Sequence, residues 1–216
     1  CRIACYEDRR IVGSKPGVLE RKIGVLERRI SAKEESTSEL CLKAAATLFA
    51  ETDLGPQDVD LIVLCTQNPD YKLPHTTAIL QDRLGIPTHA AAFDINLGCS
   101  GYVYSLAVVQ GWMNSLGAKN TLLFTCDPYT KIIDPQDRAT VPIFSDAATV
   151  TWLTVDCDNS LGASVFGTDG SQHEALIIRN SGTQLSNDET PQSQHLCMNG
   201  RVIYESMMRV IPPAIR

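Results

Sequence analysis

The feature that most constrains the fold is a run of five apolar residues, Leu61-Ile62-Val63-Leu64-Cys65, closed by Asp60 on one side and Thr66 on the other. So short a run with no polar face fits a strand covered on both sides, as in a parallel sheet sandwiched between helices. The segment Ala90 to Asn96 (AAAFDIN) is strand-like again. Between the two, Pro74-His75-Thr76-Thr77 opens a helix that runs to Leu84 and Gly85. Ahead of them, Ser36 with Glu39 three residues on forms a capping box that predicts a helix over about 37–51. Helix, strand, helix, strand is the rhythm of an α/β fold.

The segment from Cys99 to Gly117 is long enough for five helical turns, and from Tyr102 to Val109 only Ser105 is polar. A helix apolar all round is buried, so the expected arrangement is a layered α/β/α fold larger than a two-layer domain. Further strands are expected at Thr121–Asp127 and Ala147–Val155, a strand and turn at Ala163–Ser171, and a final helix from Gly200 is expected to be interrupted at Pro212-Pro213. The four histidines, His75, His89, His173 and His195, fall at a helix start, before a strand, in a turn and in a polar loop, and read as surface or capping residues.

Composition narrows the function classes. With 216 residues, 44% hydrophobic and 20% charged, the chain can bury a core, and its apolar runs fall far short of the ~20 residues of a membrane helix. A net charge of -6 argues against nucleic acid or a membrane surface as the general partner. The 8 cysteines contain no CxxC pair, and several lie in apolar stretches, as Cys65 and Cys126 do. This pattern suits packed thiols in a reducing, cytoplasmic setting better than a metal site. Because the first residue is Cys1, the N-terminus of the natural protein is expected to lie upstream.

Cys99 differs from the other cysteines because a strand meets a helix at Leu97-Gly98-Cys99-Ser100-Gly101. Small neighbours allow a sharp turn, and a helix N-terminus favours a thiolate, the nucleophilic form. A packed structural cysteine is the alternative.

The residues around it, AAFDINLGCSGYVYSLAVV, resemble the active-site segment of the 3-oxoacyl-acyl-carrier-protein synthase III (beta-ketoacyl synthase III) family of the thiolase-like superfamily. The resemblance extends through IGVLERRIS, the stretch from Glu39 to Ile86, DPQDRATVPIFSDAATV, GTDGS and MNGRVIYE, in the family's order. It implies a thiolase-like layered α/β/α fold, with an N-terminal half over 1–156 lacking its first strand and the start of a second half over 157–216.

It also implies an enzyme that forms an acyl-cysteine at Cys99 from an acyl-CoA and condenses it with a malonyl thioester on acyl carrier protein, in fatty acid or related secondary-metabolite biosynthesis. The implied assembly is a homodimer, and no cofactor or metal is expected, acyl-CoA being a substrate. A related acyltransferase to an oxygen or nitrogen acceptor, or a non-catalytic partner subunit, are the alternative readings. The family's catalytic His and Asn have no match in these residues, so the chain is expected to be one piece of a longer protein or to act with another chain.

By the same resemblance Lys22 and Arg138 fall at the coenzyme A adenine site, Gly200 at the pantetheine channel, and Leu73 at a position reaching the partner subunit's acyl pocket. Read without it, Arg138 is a loop arginine, Gly200 a helix-start glycine and Leu73 a core leucine. Val18 stands where the family carries an adenine-stacking tryptophan, and Phe144-Ser145-Asp146-Ala147-Ala148-Thr149 keeps the acid of a glycine-rich turn without its glycines. Arg21, Lys22, Arg28 and Arg29 form a basic cluster that could meet an acidic carrier protein or simply be a solvated face.

Overall fold

The structure is a computed structural model and describes residues 21, 24–25, 27–155, 161–184 and 190–215. These divide into two compact units. Of the described residues, 28–128, 145–155 and 161–164 form the first.

Its centre is a four-stranded sheet of β1 (Leu61–Cys65), β2 (Ala91–Ile95), β3 (Asn120–Cys126) and β4 (Ala148–Thr154). The order is β2-β1-β3-β4, with β1 parallel to both β2 and β3 and β4 antiparallel to β3. Alternate side chains leave opposite faces of a strand. Accordingly Ile62, Leu64, Leu122 and Phe124 pack with Leu40, Cys41, Ala44, Ala45, Leu48 and Leu80 of helices α1 (Thr37–Glu51) and α2 (Thr76–Leu84). Leu61, Val63 and Leu123 point the other way and meet Leu106, Val109 and Trp112 of α3 (Gly101–Leu116). The continuous apolar run at 61–65 thus reports two cores, one per face, and the layered α/β/α fold expected from the sequence is present.

One helix start is set locally and the next by a tertiary contact. The Ser36 hydroxyl accepts the Glu39 N–H (3.3 Å) to open α1, and the Glu39 carboxylate pairs with Arg83 of α2 (2.7 Å). His75 makes no capping hydrogen bond through its side chain. The cap of α2 comes instead from β2, where Asp94 accepts the N–H groups of Thr76 (2.7 Å) and Thr77 (3.0 Å). The helix ends at Gly85, whose φ of 67° suits glycine.

The expectation that the Cys99 helix is buried on every side is corrected. Gly101, Ser105 and Val109, spaced four apart, form the buried seam of α3, while Tyr102, Val103 and Val108 are exposed (38%, 49% and 41%). Apolar composition shows that a surface favours cover, not that the same chain supplies it.

Among the described residues the second unit contains 21, 24–25, 27, 129–144, 165–184 and 190–215. It holds an antiparallel pair, β5 (Leu176–Ile177) with β6 (Cys197–Met198), and helix α4 (Gly200–Ala214). Two expectations fail here. Of the strand and turn expected at 163–171 the strand is absent and the turn is present, and pairing begins only at Leu176. Val165 and Phe166 are too isolated among Gly, Asp and Ser to build a ladder, and Asp169 folds the chain into a turn by accepting the N–H (3.0 Å) and hydroxyl (2.6 Å) of Ser171. Helix α4 also continues through Pro212-Pro213. The prolines lie in its last turn, so the N–H groups they lack cost only the two bonds to the preceding turn, and Ile215 N–H still closes onto Ile211 C=O (3.3 Å). Among the described residues no helix is long and apolar enough to cross a membrane.

Candidate active site

Cys99 lies in the turn that carries the chain from the carboxyl end of β2 into α3. Leu97 N–H returns to Ile95 C=O (3.1 Å) and Gly101 N–H to Gly98 C=O (2.8 Å), so two tight backbone bonds bracket the cysteine. Cys99 is exposed, whereas Cys41, Cys65 and Cys126 are buried and Cys197 is half-buried. Burial pushes the thiols of Cys41 and Cys65 up, disfavouring their thiolates. Among the described cysteines Cys99 therefore combines access with a helix start.

The carboxyl ends of the parallel strands form one edge, the side on which ligand sites of α/β sheets open. There Asp127, directly after β3, accepts the Gln67 N–H (2.7 Å) and the Thr66 hydroxyl (3.2 Å), and Thr66 N–H bonds to Ile95 C=O (3.0 Å). Burial outweighs those hydrogen bonds and raises the Asp127 carboxyl to about 6. Sequence reasoning missed Asp127; its signal is an acid placed immediately after an apolar strand.

The raised value has a stability consequence. Between the usual 3.8 and about 6, the folded chain holds a proton that the unfolded chain releases, so stability falls as pH rises through this window and levels off above it. Asp127→Asn is expected to flatten the dependence of Tm on pH between about 4 and 6. Parallel profiles for the two proteins would show that Asp127 titrates normally.

Leu73 is 86% exposed, which excludes the core-leucine reading. The chain just ahead of it is pinned to α1. Asp70 takes the N–H (2.9 Å) and hydroxyl (2.5 Å) of Ser38, and the Thr37 hydroxyl donates to Asn68 C=O (2.5 Å). Arg138 is exposed, on a turn where Asp137 accepts the Ala139 (2.9 Å) and Thr140 (3.1 Å) N–H groups. Gly200 begins α4 after Asn199, whose side chain accepts the Val202 N–H (3.3 Å), and a methyl group at Gly200 would meet no atom within 4 Å. Cys99 and Leu73 belong to the first unit, Arg138 and Gly200 to the second. Lys22 and Val18 lie outside the described residues.

The basic cluster is not a single solvated face. Arg28 is buried at 4% exposure beside Asp146, and burial lowers its guanidinium value while the Asp146 charge partly restores it. Asp146 in turn accepts the N–H and hydroxyl of Ser31, both at 2.8 Å. The acid of the altered glycine-rich turn thus fastens the 28–31 segment to the sheet. His75, His89 and His173 are exposed and His195 is half-buried, in keeping with surface roles.

A mixed sheet with helices on both faces and an exposed thiol beside a helix start fits the thiolase-like class, which the fold comparison supports. A crystal structure of 3-oxoacyl-(acyl-carrier-protein) synthase III superposes with a TM-score of 0.86 at 37% identity, over 91% of this chain and 63% of that one. The priming beta-ketosynthase of the R1128 polyketide pathway, at 23% identity, shares the fold with a TM-score of 0.84 over 98% of this chain and 66% of that one.

Within that class the chain is similar to the 3-oxoacyl-[acyl-carrier-protein (ACP)] synthase III family, whose model matches residues 93–170, the span containing Cys99. The beta-ketoacyl-[acyl-carrier-protein] synthase III of Lactobacillus helveticus is 33% identical over 208 residues, 94% of this chain and 61% of that protein. The chain spans about 60% of the length of such curated relatives.

Proposed function

We propose that the chain is the Cys99-bearing part of an acyl-thioester condensing enzyme. The Cys99 thiolate attacks the carbonyl of an acyl-CoA, the C–S bond to coenzyme A breaks, and the acyl group is held as a thioester on Cys99. A malonyl thioester on acyl carrier protein then loses carbon dioxide, and its enolate carbon attacks the acyl-cysteine. The new carbon–carbon bond gives a 3-oxoacyl thioester and returns the Cys99 thiolate. Every electron pair in this sequence comes from a substrate or from Cys99, so the balance calls for no redox cofactor. The product fits fatty acid or related secondary-metabolite biosynthesis in a cytoplasmic setting.

The observation that carries this reading is the exposed Cys99 at a strand–turn–helix junction, inside the span that matches the family. Arg138 and Lys22 are proposed to meet the adenine end of coenzyme A, Gly200 to border the pantetheine path, and Leu73 to reach the acyl pocket of a partner copy. The N-terminal half is proposed to end near residue 156. The test is incubation with acetyl-CoA, followed by malonyl-acyl carrier protein in the presence of a chain that supplies the family's His and Asn. An acetyl mass increment on the Cys99 peptide, discharged with release of carbon dioxide, supports the reading. An increment on another residue, or discharge without carbon dioxide, overturns it.

The assembly proposed is a homodimer that covers the outer edge of β2, unpaired among the described residues, and the exposed side of α3. Val108→Glu places a charge on that side and is expected to convert a dimer into a monomer by light scattering at the same concentration. A wild-type monomer would remove the proposal.

A further inference from the structure

Cys65 reads from sequence as a core thiol, and its burial at 3% exposure agrees. Its contacts assign it more. The Cys65 thiol donates to the carbonyl of Leu97 (3.2 Å), the first described bond from the sheet interior into the Cys99 turn. On the other side of the turn, a Cβ built on Gly101 would overlap the Cys65 sulfur and stand 3.1 Å from the Leu97 Cβ. Gly101 is itself buried within the seam of α3, one turn before Ser105. The sulfur thus contacts both flanks of Cys99: it binds the carbonyl two residues before it and fills the space above the glycine two residues after it.

We propose that Cys65 is a positioning residue that fixes the Leu97–Gly101 turn and so holds Cys99 in its reactive orientation, an inference that rests on the reading of Cys99 as the nucleophile. The thiol has the chemistry for this task. Burial pushes it up, with the Asp127 charge adding to that and the Ser105 hydroxyl and the Leu97 backbone only partly offsetting it, so the sulfur keeps its proton. Donation to a carbonyl leaves no charge in the core, and the sulfur's volume limits how far α3 can slide toward β1. Small displacements of a reacting group are costly; a shift of about 1 Å can lower a rate roughly a hundredfold.

The experiment uses the full chain and four variants: Cys65→Ala, Cys65→Ser, Gly101→Ala, and Gly101→Ala combined with Cys65→Ala. Two rates are read at the Cys99 peptide, alkylation by iodoacetamide and acylation by acetyl-CoA. Cys65→Ala is expected to slow both by about tenfold, while Cys65→Ser, whose hydroxyl donates to the same carbonyl, is expected to stay within about threefold of wild type. Gly101→Ala is expected to be the slowest single variant, and removing the sulfur in the double variant to recover part of that loss, a coupling that independent sites do not show.

Equal rates in wild type and Cys65→Ala, a serine variant as slow as the alanine variant, or a double variant no faster than Gly101→Ala would each overturn the proposal. If Cys65→Ala fails to fold, the serine variant and the Gly101 pair still decide. Wild type that is alkylated but never acylated at Cys99 defeats the reading of Cys99 as an acyl acceptor, and the alkylation series then judges Cys65 by itself.

Discussion

Replacing Cys99 by alanine is expected to remove the acyl-enzyme completely, with the loss confined to chemistry. The side chain is exposed, so truncating it opens no cavity in either core, and stability is expected to change by no more than about 0.5 kcal/mol. Reactivity has no substitute among its described neighbours. Cys41, Cys65 and Cys126 are buried, and burial disfavours the thiolates of the first two. Limited iodoacetamide should therefore label the Cys99 peptide first, and the Cys99→Ala protein should show no acyl increment with acetyl-CoA while melting as wild type does. Labelling of Cys65 or Cys126 ahead of Cys99, or a persistent acyl increment in Cys99→Ala, would place the nucleophile elsewhere.

Much of the first unit was legible in the sequence because its elements are locally encoded. The run Leu61–Cys65 has no polar position, so only a doubly covered strand satisfies it. Ser36 fixes a helix start through one hydrogen bond three residues away. Cys99 stood out because its small neighbours and the change of period from strand to helix are both readable along the chain.

What escaped was decided by partners far apart in sequence. The cap of α2 is Asp94, 18 residues from Thr76, not the adjacent His75. Arg28 looks like one charge in a solvated cluster until Asp146, remote in sequence, draws it inside. Cys65 and Asp127 act through the Cys99 turn and the Thr66 loop, contacts that exist only once three strands end at the same edge. The solvent side of α3 was misread for a related reason: hydropathy registers an apolar face, but covering it requires a surface that no local pattern specifies.

Phe124→Ala is expected to be the most damaging single truncation for stability. Phe124 is fully buried in β3, with Leu64 of β1 opposite it on one side and Val150 of β4 on the other, so its ring sits where the parallel and antiparallel parts of the sheet share one core. Removing it forfeits the transfer energy of the ring and leaves a cavity that neighbours held by strand pairing on both sides cannot collapse into. Buried Phe-to-Ala changes of this kind cost about 3–5 kcal/mol, a large share of the roughly 5–15 kcal/mol that stabilises a typical domain. The control is Leu116→Ala at the end of α3. Leu116 is 66% exposed, so truncating this apolar side chain is expected to change stability by less than about 0.5 kcal/mol. Urea titrations followed by far-ultraviolet circular dichroism read both. A Phe124→Ala midpoint equal to that of Leu116→Ala would show that the α1–α2 face of the sheet is not packed as described.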